Sequence, residues 1–313
     1  MTQEAYLRDR HDGEWGHWRA PGAGVDSRGR RVGGSGVEGL PLAFVAITDI
    51  LDLERYPLHE PDSPAVAALL DQGRETLARD ALFTLPGFVR PAAVEAMAGE
   101  LEARVPVASR LEIEREIYPY EPEAWPQDHP RNARHACRYH QVLNHQIAND
   151  SPLRRIFHWE PLRDFLRRLM GYETFHRSEC PHLALTAKVA GPGDADGWHY
   201  DGNDVVFSVL LRAPEGGGVF EYAPNLRSES DQNWDAMAAV YAGSHNGVRH
   251  ASLVPGDLNV FQGNRTLHRV TPVEGQTRRI VGLFCYDRDP GSTFGEAYIE
   301  ELRRRTPGYR QPA

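Results

Sequence analysis

Between His182 and Tyr286 the chain is a train of short apolar runs, each cut off by a turn before it is long enough to make a helix. His182–Val189 alternates with period two, and Val205–Leu211 is a dense β-branched run. Val219–Tyr222, Val248–Val254, Leu258–Gln262, Leu267–Val270 and Ile280–Tyr286 follow at similar spacing. Glycine, proline and aspartate mark the breaks: Gly191–Asp194, Pro214–Gly218, Pro255-Gly256-Asp257, Gly263-Asn264 and Glu274-Gly275. Short strands in this number pair and close into a sandwich or barrel. Residues 180–290 therefore predict a β jelly-roll core, with one short helix near Trp234–Tyr241.

The part before it has a different texture. From Ser63 to Arg79 the apolar residues Val66, Leu69, Leu70, Leu77 and Ala78 recur at helical spacing, behind a Ser63-Pro64 start. A strand-like run, Ala81–Leu85, ends at Pro86-Gly87, and a second helix is predicted over Pro91–Arg104, with Val94, Met97 and Leu101 on one face. Glu112–Asn149, broken by Pro119, Pro122, Pro126 and Pro130, reads as irregular. Its His135, His140 and His145 are five apart, too far round a helix to share a metal. They read as scattered histidines, or as an Arg- and His-rich roof over a pocket. A third helix is predicted over Pro161–Met170. The fold class expected is mainly β with flanking α, residues 60–175 supplying a helical front to the jelly roll in one domain, 40–313. Residues 1–39, rich in Gly, Arg and Asp but holding Trp15 and Trp18, read as a mobile or draped leader.

Composition removes several classes of function. Of 313 residues 41% are hydrophobic and 25% charged, ordinary for a folded soluble chain. The net charge of -9, without a long basic run, disfavours a nucleic-acid partner. The longest apolar run, Leu40–Ile47, is too short to span a bilayer, and the N-terminus lacks a signal-peptide core. Cys137, Cys180 and Cys285 lie far apart, the pattern of reduced thiols in a cytoplasmic protein.

Against that background one constellation stands out. In Gly197-Trp198-His199-Tyr200-Asp201, the imidazole and the carboxylate are two apart and share one side of an extended segment. They form a chelate for a divalent metal, and a third ligand from a distant strand, for which His268 is the candidate, completes a two-histidine, one-carboxylate facial triad. Spacing alone is weak evidence among fourteen histidines: His158-Trp159-Glu160 has it too, and reads as the start of the helix at Pro161. Arg279, in phase with Val281, Leu283 and Cys285, shares their face of the next strand. A guanidinium inside a barrel needs an anion. A dicarboxylate cosubstrate would meet it in a bidentate pair.

The stretch from His182 to Pro290, a little over a third of the chain, resembles the iron(II)- and 2-oxoglutarate-dependent oxygenases with a double-stranded β-helix. Gly-Trp-His-Tyr-Asp201, Pro214-Glu-Gly-Gly-Gly-Val-Phe-Glu-Tyr-Ala-Pro-Asn-Leu-Arg227 and Leu-His-Arg-Val-Thr-Pro-Val-Glu-Gly275 are similar to the branch containing halogenases and hydroxylases of free amino acids and similar small metabolites. Leu85-Pro-Gly-Phe88 between two helices resembles the usual prelude of these enzymes. The resemblance implies iron held by His199, Asp201 and His268, dioxygen and 2-oxoglutarate as cosubstrates, and Arg279 on the 2-oxoglutarate C5 carboxylate. Arg278 is the rival, because many relatives place the arginine one residue nearer the distal histidine. Adjacent strand residues face opposite sides, so only one of the two can serve.

Asp201 separates the two chemistries of that branch, whose halogenases carry Gly or Ala in its place. Three protein ligands, two donor atoms of 2-oxoglutarate and dioxygen fill an octahedral iron and leave no position for halide. The expectation is hydroxylation, or desaturation, of a small metabolite, with succinate and CO2 released. Asp204, Glu221, Asn225 and Arg227 are candidate pocket residues, Thr186 and Lys188 candidates to reach 2-oxoglutarate, and Trp198 and Tyr200 packing residues. A cupin-like metal enzyme, a non-catalytic binding module and a zinc hydrolase are the competing readings.

Overall fold

The structure, a computed structural model, describes residues 46–116, 125–203, 205–228, 230–292 and 294–309. The leader expected over residues 1–39, and Asp204, lie outside the described residues. Six α-helices are described: α1 (Pro64–Asp80), α2 (Pro91–Arg104), α3 (Pro152–His158), α4 (Glu160–Met170), α5 (Trp234–Tyr241) and α6 (Glu296–Arg304). Eleven strands form one curled sheet: β1 (Leu82–Leu85), β2 (Ser109–Glu116), β3 (Arg134–Val142), β4 (Leu185–Ala190), β5 (Asp196–His199), β6 (Val206–Arg212), β7 (Phe220–Ala223), β8 (Arg249–Ala251), β9 (Leu258–Phe261), β10 (Leu267–Val270) and β11 (Arg279–Phe284). Every pairing is antiparallel.

The last eight strands are dealt between two layers of four. One runs β9-β6-β11-β4 and the other β5-β10-β7-β8. Successive strands after β4 thus cross between layers, except β7 and β8, which pair directly: this is the jelly roll. β1 extends the first layer beyond β9, and β3, carrying β2, bridges the layers through the pair Cys137–Asp196.

The two faces of the first layer differ because its strands alternate. Leu185, Ala187 and Val189 of β4, Phe207, Val209 and Leu211 of β6, Leu258 and Val260 of β9, and Ile280 and Phe284 of β11 belong to the main hydrophobic core, with Met97, Leu101, Leu153, Ile156 and Leu166 of the helices. Burying each large side chain contributes about 1.5–3 kcal/mol. In register, the opposite face carries Thr186, Lys188, Ser208, Asn259, Arg279 and Val281, a mostly polar interior. Gly282 lets α3 approach: a Cβ there would lie 2.8 Å from Leu153 Cδ1.

The helices start where local chemistry dictates. The Ser63 hydroxyl accepts from Val66 N (3.3 Å) ahead of Pro64, and the Ser151 hydroxyl accepts from Leu153 N (3.2 Å) ahead of α3. Glu160 opens α4 and pairs with Arg163 at 2.9 Å and with Arg177.

The expectation of irregular chain over Glu112–Asn149 is corrected. Ser109–Glu116 and Arg134–Val142 pair over their length as a β-ribbon, with Ser109 opposite Gln141 and Glu116 opposite Arg134. Prolines crowd only the connection between them, and charges such as Glu112 on the exposed face hid the alternation. Helices α3 and α6 were not anticipated either.

Candidate active site

Strand β5 is four residues long and does not alternate cleanly. Opposite β10, His268 pairs with His199 but Val270 pairs with Asp196, so three steps on β5 face two on β10. Such a bulge re-aims side chains. Asp196, which strict alternation would put on the far side from His199, has its Oδ2 3.9 Å from His199 Nε2. Trp198 turns outward into a small core with Leu267, Met237 and Val240 of α5, and Arg269 lies 4.7 Å over its ring.

His199, Asp201 and His268 converge, each offering a ligand atom within 4.8 Å of the others. Asp201 Oδ1 is 3.8 Å from His199 Nε2, and Asp201 Oδ2 is 3.5 Å from His268 Nε2. Both rings are fixed from behind: His199 Nδ1 lies 2.7 Å from Gly197 O and His268 Nδ1 2.9 Å from Thr266 O. A carbonyl can only accept, so each Nδ1 carries a proton and each ring turns its Nε2 toward the carboxylate. Burial, then the neighbouring His268, hold the His199 pKa down to about 3, which keeps this ring neutral. Two imidazole nitrogens and a carboxylate converging on one point offer a divalent cation three ligand atoms. The donor set fits a non-haem iron(II) site. Phe261 and Phe220 pack on the His268 ring, with centroids 4.8 and 5.6 Å away, and Tyr222 stacks beside Phe220, an apolar wall on one side.

Arg279 lies on the inner face of β11, 7% exposed. Burial lowers its pKa to about 10, partly offset by Asp196, so it is a cation at neutral pH. It makes no side-chain hydrogen bond or ion pair within the described residues. Arg278 faces the other way and pairs with Glu102 of α2 at 2.5 Å, where Arg212 also pairs.

Beside these groups sits an ion cluster that spacing did not reveal. Lys188 Nζ lies 2.5 Å from Asp196 Oδ2 and 4.7 Å over the Tyr139 ring, and Arg115 is 3.5 Å from Asp196 Oδ1. Burial alone would lower the Lys188 pKa, but the charge of Asp196 and its hydrogen bond raise it. For Asp196 burial raises the pKa, and the charges of Lys188 and Arg115 with the Lys188 hydrogen bond more than reverse this. The sequence signal for Lys188 was its place on the inner face of β4; for Asp196 the bulge erased the signal.

The remaining pocket candidates behave differently from one another. Glu221 meets Arg269 and His250 of the two strands flanking β7, on the face away from His268, with its oxygens 2.6 Å from Arg269 Nε and 3.2 Å from His250 Nε2. Asn225 is exposed in a turn with φ +50°, and its N–H donates to the Thr266 hydroxyl, so its contribution is to the backbone. Arg227 lies 3.9 Å over the Tyr200 ring and donates from Nε to Asn264 O (2.6 Å), clamping the loop behind Asp201. Thr186 is buried on the inner face of β4. His135 packs on Tyr241, and His145 on His182 and Tyr309, so the spaced histidines do not gather. All three cysteines are free, and no described helix is long and apolar enough to cross a membrane.

A family model described as Halogenase D matches residues 67–293. No curated protein matches the sequence. Similar solved structures include AviO1 from Streptomyces viridochromogenes Tue57, at 18% identity and TM-score 0.49, over 72% of this chain and 96% of that one. HygX from Streptomyces hygroscopicus, solved with nickel and 2-oxoglutarate bound, is similar at 14% identity and TM-score 0.47, over 70% and 87%. An oxidoreductase of the 2OG-Fe(II) oxygenase family from Burkholderia pseudomallei is similar at 12% identity and TM-score 0.43, over 70% and 91%.

Proposed function

The chain belongs to the Halogenase D family, and from that premise we propose that it is an iron(II)- and 2-oxoglutarate-dependent oxygenase that hydroxylates, or desaturates, an unactivated C–H of a small metabolite such as an amino acid. The reading rests on one observation above all: two imidazoles anchored at Nδ1 turn Nε2 toward the single carboxylate of Asp201. His199, Asp201 and His268 would hold the iron. The iron supplies the dioxygen chemistry that no side chain has. 2-Oxoglutarate and O2 are consumed, succinate and CO2 are released, and one oxygen atom goes to each of succinate and, in hydroxylation, the product.

The protein binds, orients and shields. Arg279 takes the C5 carboxylate of 2-oxoglutarate, an anion that a buried guanidinium requires. Lys188 and Arg115 hold Asp196 ionised beside it without drawing on the cosubstrate. The interior thus carries three fixed cations, Lys188, Arg115 and Arg279, against two carboxylates, Asp196 and Asp201. A dication and a dianion arriving together leave that balance unchanged. Phe220, Tyr222 and Phe261 keep water from one side of the metal ligands.

Asp201 favours hydroxylation over the halogenation its family is named for, because the carboxylate takes the coordination position that a halide needs. The deciding experiment is aerobic incubation with iron(II), ascorbate, 2-oxoglutarate and chloride, screening amino acids and small metabolites for substrate-stimulated succinate and weighing the products. A gain of one oxygen, or loss of two hydrogens, is expected. A chlorinated product would overturn the choice of reaction. Failure of 2-oxoglutarate to give a visible charge-transfer band with iron(II) under anaerobic conditions would overturn the class.

A further inference from the structure

Gly263 lies against Asp201. The Asp201 N–H donates to Gly263 O at 3.1 Å, so the two segments run side by side. A Cβ on residue 263 would fall 1.8 Å from Asp201 Oδ2, 2.6 Å from Cγ and 2.9 Å from Cβ, where no carbon can stand. The reason for glycine here is not conformational: Gly263 is not among the positive-φ glycines, so its backbone suits an L side chain. It is buried, and its turn is tied by Gln262 N to Ala81 O (2.9 Å) and by Arg227 Nε to Asn264 O (2.6 Å). What the missing side chain provides is space, and the Asp201 carboxylate fills it.

We propose that Gly263 is a positioning residue that seats the Asp201 carboxylate toward His199 and His268, and so sets whether the site offers three protein ligands or two. This rests on the metal-site reading above. The backbone around residue 263 is anchored on both sides, whereas the end of an aspartate rotates about two bonds. A methyl group at 263 therefore turns the carboxylate away, relieving the 1.8 and 2.6 Å overlaps, and the 2.9 Å approach to Asp201 Cβ asks only a small shift of the two segments, while both imidazoles keep their carbonyl anchors. Gly202 provides the matched control: it is next to Asp201, but a Cβ there meets nothing within 4 Å.

The test titrates cobalt(II) into the full chain and into Gly263→Ala, Gly202→Ala, Asp201→Ala and the double variant Asp201→Ala/Gly263→Ala, following heat, the visible cobalt band and apo-protein melting. Gly202→Ala is expected to match wild type. Gly263→Ala is expected to bind about 10- to 100-fold more weakly, the range for losing support behind a metal ligand, with a cobalt band like that of Asp201→Ala. The double variant binds as Asp201→Ala does, because a carboxylate already removed cannot be displaced. It also melts above Gly263→Ala, because the 1.8 and 2.6 Å overlaps with the carboxylate are then gone and only the 2.9 Å approach to Cβ remains, and this holds even where the single variant folds poorly. Wild-type affinity and spectrum in Gly263→Ala, additive losses in the double variant, or no recovery of melting would each overturn the proposal. Wild-type protein that takes up no cobalt would instead overturn the metal site itself, along with this inference.

Discussion

At the start of β5, Asp196 meets Lys188 and Arg115; at its end, His199 meets Asp201 and His268. Both groups are largely enclosed, and only the first is complete. Asp196 has two cations on its oxygens, and each charged group there touches one of opposite sign inside the protein. At the other end two imidazole Nε2 atoms face a carboxylate, and Arg279 is a cation with no anion on it among the described residues. Buried polar groups without partners are costly, so they persist where something outside the chain completes them. A closed ion cluster is architecture, and an open one is a site.

The comparison breaks if substitutions in the two clusters have the same consequences. The largest effect is expected from His268→Ala: more than about 100-fold loss of iron(II) affinity, beyond the 10- to 100-fold typical of groups behind a ligand. The melting temperature of the metal-free protein stays close to wild type, as calorimetry and metal titration on one sample would check. Arg279→Met comes next, raising the dissociation constant for 2-oxoglutarate by about 30-fold or more, the lower end for truncating one partner of a buried charge pair. The apo protein should be at least as stable as wild type, because an unanswered charge is gone; anaerobic titration and urea melts would show both.

Lys188→Met inverts this pattern. Removing one partner of a buried pair costs about 3 kcal/mol, read from urea denaturation, while iron affinity changes little. A lost metal site with unchanged stability would erase the distinction between the clusters. The smallest effect concerns a third, closed pair, Asp194 with Arg110, both contacts at 2.8 Å. Burial alone would raise the Asp194 pKa, but hydrogen bonds from Arg110 and the Gly191 N–H bring it below the ordinary value. A carboxylate whose pKa is lowered on folding adds stability that is present above the unfolded pKa, about 4, and lost as pH falls through the folded one. Asp194→Asn should therefore flatten the fall in stability below about pH 4 and leave its slope near pH 7 unchanged.

Much of this was legible before any coordinates. Turn residues and period-two runs marked seven of the eight jelly-roll strands within a few residues, all but the four-residue β5, and Ser63-Pro64 and Pro91 marked the first two helices. The β2–β3 ribbon was obscured because its charged outer residues and proline-rich connection resemble loop. Glu221 depends on register instead: its strand β7 pairs with β10, which carries His268, but Glu221 stands opposite Arg269 and so on the other face from His268.

The sequence alone determined which atoms can bind metal and anion, since residue type fixes donor chemistry and period two fixes which neighbours share a side. It also showed that of Arg278 and Arg279 only one can face the interior, because a strand sends adjacent residues to opposite faces. Only the tertiary structure decided that a bulge in β5 turns Asp196 inward beside His199, and that a glycine sixty-two residues away in sequence leaves the space Asp201 occupies. Both depend on how one strand registers against another, and register is set by packing across the sheet, which no local pattern encodes.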